Sequence, residues 1–155
     1  MNYWLMKSEP DEFSINDLKN KKNQTEAWTG VRNYQARNFM RDEMKKNDLV
    51  FFYHSSCKEI GIAGIAKVVK ESYPDPTQFD KKSKYFDPKA TEDNPRWFLI
   101  DIKWVKTFEE IIPLSLLKES KELKNMYLVQ KGSRLSVQPV REKEFDFIKD
   151  QLNSK

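Results

Sequence analysis

Cysteine, histidine and glycine are scarce in this sequence, and each scarcity excludes a class of function. The 155 residues include one Cys, one His and four Gly. A lone Cys57 cannot form an intrachain disulfide, which favours a reducing compartment and predicts a cytoplasmic location. One Cys and one His are a poor ligand set for zinc, and four glycines leave no Gly-rich phosphate loop. We therefore expect neither a metal nor a cofactor.

Long apolar runs are missing as well. No segment approaches the ~20 apolar residues of a membrane helix, and the apolar stretch Tyr3–Met6 is too short for the core of a signal peptide. A membrane partner is therefore not expected. The charge is only mildly basic, with 28 Lys and Arg against 24 Asp and Glu and a formal net charge of +4. This balance permits a polyanionic partner without requiring one.

Aromatic residues are plentiful, at 13% of the chain, and many of them lie in short alternating segments. A length of 155 residues suits one compact domain, residues 1–155. Alternation predicts half-buried strands at Leu49–His54, Ile60–Val68 and Phe98–Trp104, with shorter strands at Asn2–Met6, Leu128–Val129 and Leu135–Val137. Capping and four-residue periodicity predict helices at Ser14–Lys19, Asn33–Lys46, Leu114–Lys118 and Val140–Leu152. Strands in the middle and helices at both ends favour an α+β fold with a small mixed barrel.

Catalytic constellations are weak in this sequence. His54 and Cys57 are three residues apart and resemble a nucleophilic dyad, but no third group is available to orient them. A plainer interpretation makes His54 a strand-end residue that hydrogen-bonds the backbone. Walker loops, dinucleotide fingerprints and Gly-x-Ser-x-Gly elbows are absent. The sequence therefore predicts a protein that is not an enzyme.

The segment from Trp28 to Asn38 carries the strongest signal for binding. Trp28 offers a flat face on which a base can stack, and Arg32 and Arg37 are suited to phosphates. Asn33 and Gln35 provide the paired donor and acceptor that a base edge requires. The alternative interpretation makes Trp28 a core residue and Asn33 a helix cap, with both arginines on a solvated face.

Three other polar segments are candidates for a site. Lys7–Pro10 ends the first predicted strand, and Arg134–Pro139 interrupts a short strand before the last helix. Ser72–Arg96 contains four of the seven prolines, and a loop of this length inside a compact domain is uncommon unless it is functional. We interpret it as an excursion over the domain surface.

Taken together, these segments resemble the EVE domain family. The matching motifs are Tyr3–Pro10, Phe13–Ser14, Asp17–Leu18, Trp28-x-Gly30–Asn38, Asn47-Asp48-x-x-Phe51–Ser55, Gly61-Ile62-x-Gly64, Tyr73–Asp75, Tyr85-x-Asp87–Lys89, Pro95–Trp97 and Arg134–Pro139. They span nearly the whole chain, in order and at the spacing of the family. The resemblance implies a PUA-like fold, a small mixed β-barrel flanked by helices and related to ASCH, YTH and SRA modules.

Those relatives hold a nucleic-acid base at one mouth of the barrel, and the resemblance implies a similar pocket here. Trp28 is then the best aromatic of the pocket, with its ring partly exposed, and Trp97 is a second candidate. The further residues expected around the base are Lys7, Ser8, Gly30, Val31, Asn33, Gln35, Tyr53, His54, Ser55 and Ser136. Arg32, Arg37 and Arg134 are expected on the phosphate backbone.

The function implied by the resemblance is the binding, without chemistry, of a modified base in RNA or DNA. The chain is expected to act as a monomer. Two alternatives use the same pocket. One is a nucleotide-sensing or protein-interaction module, which would prefer a free small molecule or a protein. The other, less favoured, is an enzyme that processes nucleotides.

Overall fold

The computed structural model describes residues 1–153, which form a six-stranded mixed sheet flanked by short helices. The strands are Tyr3–Ser8 (β1), Thr25–Ala27 (β2), Leu49–His54 (β3), Gly61–Pro74 (β4), Phe98–Pro113 (β5) and Val137–Val140 (β6). The helices are Ile15–Asn20 (α1), Tyr34–Asn38 (α2), Leu114–Glu119 (α3) and Glu142–Phe147 (α4). Helices α2 and α4 continue as π-helical turns over Phe39–Glu43 and Ile148–Leu152. None of the helices within residues 1–153 is long and apolar enough to span a membrane.

The sheet has the strand order β2-β5-β4-β3-β1-β6. Strands β1 and β3 are parallel, and the other neighbours are antiparallel. The register between the two longest strands, β4 and β5, shifts at several places. Such bulges bend a strand and increase its twist, so the sheet is strongly curved. The mixed sheet and short helices confirm the predicted α+β fold class.

Strand β3 and the first half of β4 are buried on both faces, so the prediction of half-buried strands is wrong for these two strands. In β5 the predicted contrast is present, because Ile100 and Ile102 are buried while Asp101 and Lys103 are partly exposed. The alternation of β3 itself is confirmed, because Val50 and Phe52 lie in one core cluster while Phe51 and Tyr53 lie in a second. Helix α2 and its π-helical turn pack on the first face, and α3 and α4 pack on the other. A strand covered on both sides alternates between two apolar environments, which removes the contrast between apolar and polar faces.

Three predicted details of the strands are also wrong. Residues Tyr127–Val129 form a 3₁₀ turn instead of a closing strand, and the last strand begins only at Val137. In β4 the predicted single face is broken, because Ile62 packs in one cluster while Ala66 packs in the other. The bulge between Ile62 and Gly64 causes this change of face, since one extra residue reverses the side-chain alternation.

The parallel pairing of β1 and β3 brings two polar strand ends to the same edge of the sheet. Ser8 at the end of β1 is opposite His54 at the end of β3, and the Ser55 N–H donates to the Ser8 carbonyl at 2.9 Å. Strand β2 ends nearby at Ala27 and delivers Trp28, whose N–H donates to the Ile100 carbonyl of β5 at 3.0 Å. Polar residues that are distant in sequence are thereby collected at one end of the fold.

Candidate functional site

A concave pocket of about 650 Å³ lies at this end of the sheet, and we call it the base pocket. It is enclosed by the ends of β1 and β3, the segment after β2, and parts of the two loops that precede β5 and β6. The predicted site residues that line it are Lys7, Ser8, Trp28, Gly30, Val31, Arg32, Ser55, Arg134 and Ser136. The fold therefore brings together polar groups from four separate parts of the chain.

Trp28 both lines the base pocket and belongs to the core. Its ring meets Phe52 edge-on, with centroids 5.6 Å apart, and also packs against Phe13 at 6.1 Å. Only 8% of the residue is exposed, which is less than the sequence interpretation expects. The core and pocket interpretations of Trp28 are therefore compatible, because a ring fixed by its neighbours is a rigid surface for a ligand.

Tyr85 contributes a further aromatic ring from the long loop between β4 and β5. The ring packs directly on Gly30, where an added Cβ atom would lie 2.6 Å from two of its carbon atoms. Gly30 also has a φ of +88°, a left-handed conformation that favours glycine. A side chain at position 30 would thus push Tyr85 away from the pocket, so glycine is required for the close approach of loop and strand end.

Lys7 is the polar residue of the pocket with the most unusual environment. It is partly buried, and burial lowers the pKa of its ammonium group. Within residues 1–153 the ammonium makes no ion pair, and its contact is with the ring of Tyr53, 5.7 Å from the centroid. A partly desolvated cation without a counter-charge favours a ligand that accepts hydrogen bonds or carries negative charge. Such a ligand would raise the pKa of Lys7 again.

The rim of the pocket carries negative charge as well. Glu9, Glu12 and Glu26 line it together with exposed Arg134. Two of these acids are paired with lysines, Glu12 with Lys84 at 3.0 Å and Glu26 with Lys21 at 3.2 Å. The Glu12 pair is solvent-exposed and the Glu26 pair is partly exposed, so both contribute little to stability. The pocket therefore contains both donors and acceptors, as a heterocyclic base edge requires.

Arg32 lines the pocket but is not available to phosphate, so its predicted role is corrected. Its Nε–H and one Nη2–H donate to the Tyr85 carbonyl, and the other Nη2–H donates to Thr77 Oγ1. The Nη1 group donates to the Val31 carbonyl and to Asp75 Oδ2, at 3.0 and 3.1 Å. All five guanidinium donors are thus used inside the protein. Arg32 fixes the long loop to the pocket wall.

Asp75 is the buried anion that Arg32 neutralises, and it is fully inaccessible to solvent. Burial raises the pKa of this carboxyl group, but hydrogen bonds from the Gly30 N–H, from Thr77 and from Arg32 outweigh burial and lower it overall. Asp75 therefore joins the glycine beneath Tyr85 to the arginine that anchors the same loop. This network determines where the Tyr85 ring lies.

Arg37 and Trp97 lie outside the base pocket, so their predicted roles are corrected as well. The Arg37 guanidinium donates to the Arg96 carbonyl at 2.8 Å and lies 4.7 Å from the ring centroid of Tyr34. Trp97 is 6% exposed, stacks on Tyr34 at 4.8 Å and donates its indole N–H to Asp87. Both residues join α2 to the long loop, which makes them structural.

Four other predicted contacts are also absent from the base pocket. Asn33 caps α2, because its Oδ1 accepts from the Ala36 N–H at 3.0 Å, and Gln35 is exposed on that helix. Tyr53 is 2% exposed in the core, where burial raises its pKa to about 12. His54 accepts a hydrogen bond at Nε2 from the Ile15 N–H, and burial lowers its pKa. The backbone-bonding interpretation of His54 is thus the one that the structure supports.

Two aromatic residues of the pocket, Phe13 and Tyr85, were not predicted. The other unpredicted lining residues are Glu9, Glu12, Glu26, Ala27, Thr29, Ser56 and Ser133. The sequence did contain a signal for both aromatics, since each lies in a motif shared with the EVE family. Their contact with Trp28 and Gly30 depends on long-range packing.

A Cys–His nucleophile is not formed. The Cys57 thiol donates weakly to the Glu59 carbonyl at 3.5 Å, while Nε2 of His54 is occupied by the Ile15 N–H. Among residues 1–153, moreover, no cluster of His, Cys, Asp and Glu has an arrangement that could hold a metal ion.

The substitution Cys57→Ala is expected to leave ligand binding unchanged, because the thiol neither lines the base pocket nor contacts its aromatic rings. Binding isotherms of wild type and variant on the same oligonucleotide check this. A folded Cys57→Ala protein that has lost all binding would contradict this prediction and would favour a chemical role for Cys57.

Comparisons with known proteins agree with this fold. Thymocyte nuclear protein 1 of Homo sapiens is 49% identical over 163 residues, which cover 94% of this chain and 72% of that protein. A solved structure from Pseudomonas syringae is 54% identical with a TM-score of 0.90 and covers 94% of this chain and 96% of that one. An ASCH protein variant from Zymomonas mobilis, at 12% identity and a TM-score of 0.55, shares the fold alone and covers 97% and 99% of the two chains.

A third structure contains a ligand. The human THYN1 protein, solved in complex with DNA containing 5-methylcytosine, is 48% identical to this chain with a TM-score of 0.93. The match covers 100% of this chain and 99% of that one. One prediction is overturned by the comparisons: a cytoplasmic location is wrong, because the human and mouse relatives are named as nuclear proteins.

The sequence model of the EVE domain matches residues 2–151. Together with relatives that are about half identical over nearly the whole chain, this match shows that the protein belongs to the EVE domain family.

Proposed function

We propose that this chain is a single, non-catalytic DNA-binding module that holds 5-methylcytosine in the base pocket. The observation that carries the proposal is the presence, in one pocket, of the Trp28 ring and of the Lys7 ammonium, which makes no ion pair within residues 1–153. The ring offers stacking, and the ammonium offers a donor to the carbonyl oxygen or the unprotonated ring nitrogen of the base. The human relative solved with 5-methylcytosine-containing DNA supports this choice of ligand.

The size of the pocket supports a single base as its occupant. A volume of about 650 Å³ lies within the range of roughly 300–1,000 Å³ that small-molecule sites occupy. A base that remains stacked in a duplex cannot enter a concave pocket, so it must first be extruded from the helix. The energy of extrusion, a few kcal/mol, is then part of the cost of binding.

Discrimination of the methyl group follows from apolar contact. Phe13, Ala27 and Val31 line the pocket beside Trp28, and they offer surface to a methyl group at carbon 5. Burying one additional carbon yields about 0.8 kcal/mol. Because 1.4 kcal/mol corresponds to a factor of ten, the methyl group is expected to improve affinity about fourfold.

The test compares DNA duplexes that differ only in how the methylated cytosine is paired. We expect a duplex with an abasic site opposite 5-methylcytosine to bind roughly tenfold more tightly than the fully paired duplex, because extruding an unpaired base costs less. Fluorescence anisotropy with plain-cytosine duplexes as controls measures both the pairing effect and the methyl effect. Mass spectrometry of the recovered DNA checks that the base is unchanged.

Three outcomes would contradict the proposal. Equal affinity for methylated and plain duplexes would mean that no pocket contact recognises the methyl group. A change in mass of the recovered base would mean that the protein is an enzyme. Tighter binding of the free nucleoside than of any DNA strand would instead favour a nucleotide sensor.

A further inference from the structure

A second concavity of about 490 Å³ adjoins the base pocket, and we call it the lysine groove. It shares Lys7 and Ser133 with the base pocket, so these two residues border both cavities. Its other wall is formed by α3, whose last turn contributes Lys118, and by the turn before β6, which contributes Lys131. Tyr53 also lines the groove, and the ammonium of Lys7 lies over its ring.

The lysine groove differs from the base pocket in its charge. Within the described chain, the residues that line the groove include three lysines and no acid. None of the ammonium groups of Lys7, Lys118 and Lys131 forms an ion pair within residues 1–153. In contrast, both Lys21 and Lys84 near the base pocket are paired with acids. The groove is therefore a positively charged concavity beside the base pocket.

Lys7 lies where the groove and the base pocket adjoin. Its side chain lines both cavities, with the ammonium 5.7 Å from the Tyr53 ring centroid. A ligand that fills the base pocket and continues past Lys7 enters the groove and meets Lys118 and Lys131. A free base or nucleoside in the base pocket does not extend beyond Lys7, whereas a nucleic-acid strand extends past Lys7 into the groove.

We propose that the lysine groove binds the sugar–phosphate backbone of the DNA strand whose base occupies the base pocket. This inference rests on the proposed function, since it assigns the path of the strand that the function requires. Lysines act on phosphate as point charges, and contacts to phosphate position a strand without reading its sequence. The groove thus supplies affinity that is independent of methylation, while the pocket supplies discrimination.

The test uses the double variant Lys118→Gln/Lys131→Gln, which removes two charges from exposed side chains and leaves the core intact. A single strand with one central 5-methylcytosine and the nucleoside 5-methyl-2′-deoxycytidine are the two probes. On the strand we expect affinity to fall about tenfold. We also expect the log–log salt slope to become less negative by about 1.4, since each phosphate contact on a single strand contributes about 0.7. Affinity for the nucleoside should not change.

The matched control is Lys45→Gln/Lys46→Gln, which removes the same charge beyond the start of β3, at the far end of the sheet from the groove. An equal loss of affinity and slope in this control would mean that net charge, and not the groove, attracts the strand. A salt slope that stays at the wild-type value in the groove variant would overturn the inference. Failure of the proposed function would be seen separately, as equal binding of methylated and plain strands by the wild-type protein.

Discussion

Replacing Arg32 with alanine is expected to lower the free energy of unfolding by about 3–5 kcal/mol, the usual cost of removing one partner of a buried ion pair. The substitution would remove a 3.1 Å ion pair and leave the carboxylate of Asp75, which is fully buried, without its cation. It would also free the Tyr85 carbonyl and Thr77 Oγ1, which accept from the same guanidinium. Urea denaturation followed by circular dichroism measures the loss.

The loss of unfolding free energy in Arg32→Ala should become smaller as the pH falls. In the wild type the pKa of Asp75 lies below its usual value of 3.8, so the stability from this carboxylate is present above about pH 4 and is lost as the pH falls further. Without Arg32 the pKa of Asp75 should rise, because its opposite charge is gone. Protonation of Asp75 then removes the uncompensated charge in the variant. The difference in unfolding free energy between variant and wild type should therefore narrow towards pH 4.

Arg41→Ala is the matched control for this experiment. Arg41 also pairs with an aspartate, Asp42, at 2.8 Å, but both side chains are well exposed. An exposed pair contributes at most about 1 kcal/mol. If Arg32→Ala costs no more than Arg41→Ala, the network around Asp75 does not stabilise the fold, and Arg32 is free to act on a ligand.

The same variant tests the corrected role of Arg32 in binding. Because all five donors are used inside the protein, Arg32→Ala should leave the salt slope on DNA unchanged at temperatures where the variant is folded. If the log–log salt slope became less negative by about one unit, the phosphate contact that the sequence predicts for Arg32 would be supported.

The helix caps could be predicted from the sequence. The capping box of α1 is formed as expected, with the Asp17 N–H donating to Ser14 Oγ at 3.1 Å and the Ser14 N–H donating to Asp17 Oδ2 at 2.8 Å. The cap of α2 by Asn33 was also contained in one of the two interpretations. Both features depend on residues three positions apart, so the pattern itself specifies the contact.

Contacts between residues that are far apart in the sequence could not be predicted in this way. Arg32 and Asp75 are 43 positions apart, and nothing next to Arg32 indicates that a buried carboxylate consumes its donors. The sequence therefore predicts a phosphate contact for this arginine, because phosphate is a preferred partner of an unpaired guanidinium. The same limit applies to Tyr85, because its packing on Gly30 depends on how the long loop folds back.

Periodicity failed where the sheet departs from regular geometry. Strand β2 has only three residues and pairs with β5 alone, which is too short for an alternating pattern to be recognised. In β4, bulges reverse the alternation between Ile62 and Ala66. The family resemblance was unaffected by these irregularities because it depends on motifs, and motifs retain their spacing through a bulge.

The substitution Trp28→Ala is expected to have the largest effect on recognition. Loss of stacking should cost roughly 1–3 kcal/mol of binding free energy on DNA with 5-methylcytosine, and the preference over plain cytosine should disappear. The salt slope should stay at its wild-type value, because the indole contacts no phosphate. Removing a buried Trp also costs about 3–5 kcal/mol of stability, so binding must be measured at temperatures where the variant remains folded.

A more conservative pair of variants separates recognition from stability. Trp28→Phe keeps an aromatic ring between Phe13 and Phe52 but narrows the stacking surface. Trp4→Phe removes an indole that is buried in the same core cluster, together with its 3.0 Å hydrogen bond to Asp48, at a site that does not line the base pocket. Both should lose stability in urea denaturation.

Only Trp28→Phe should weaken the preference for methylated DNA, because of these two tryptophans only Trp28 lines the base pocket. A similar loss of preference in Trp4→Phe would mean that discrimination follows global stability. If Trp28→Ala, when folded, retained full discrimination, the recognising surface would have to be the remaining rings of the pocket. Phe13→Ala and Tyr85→Ala would then be the decisive variants, and Trp97, which lies outside the pocket against Tyr34, would not.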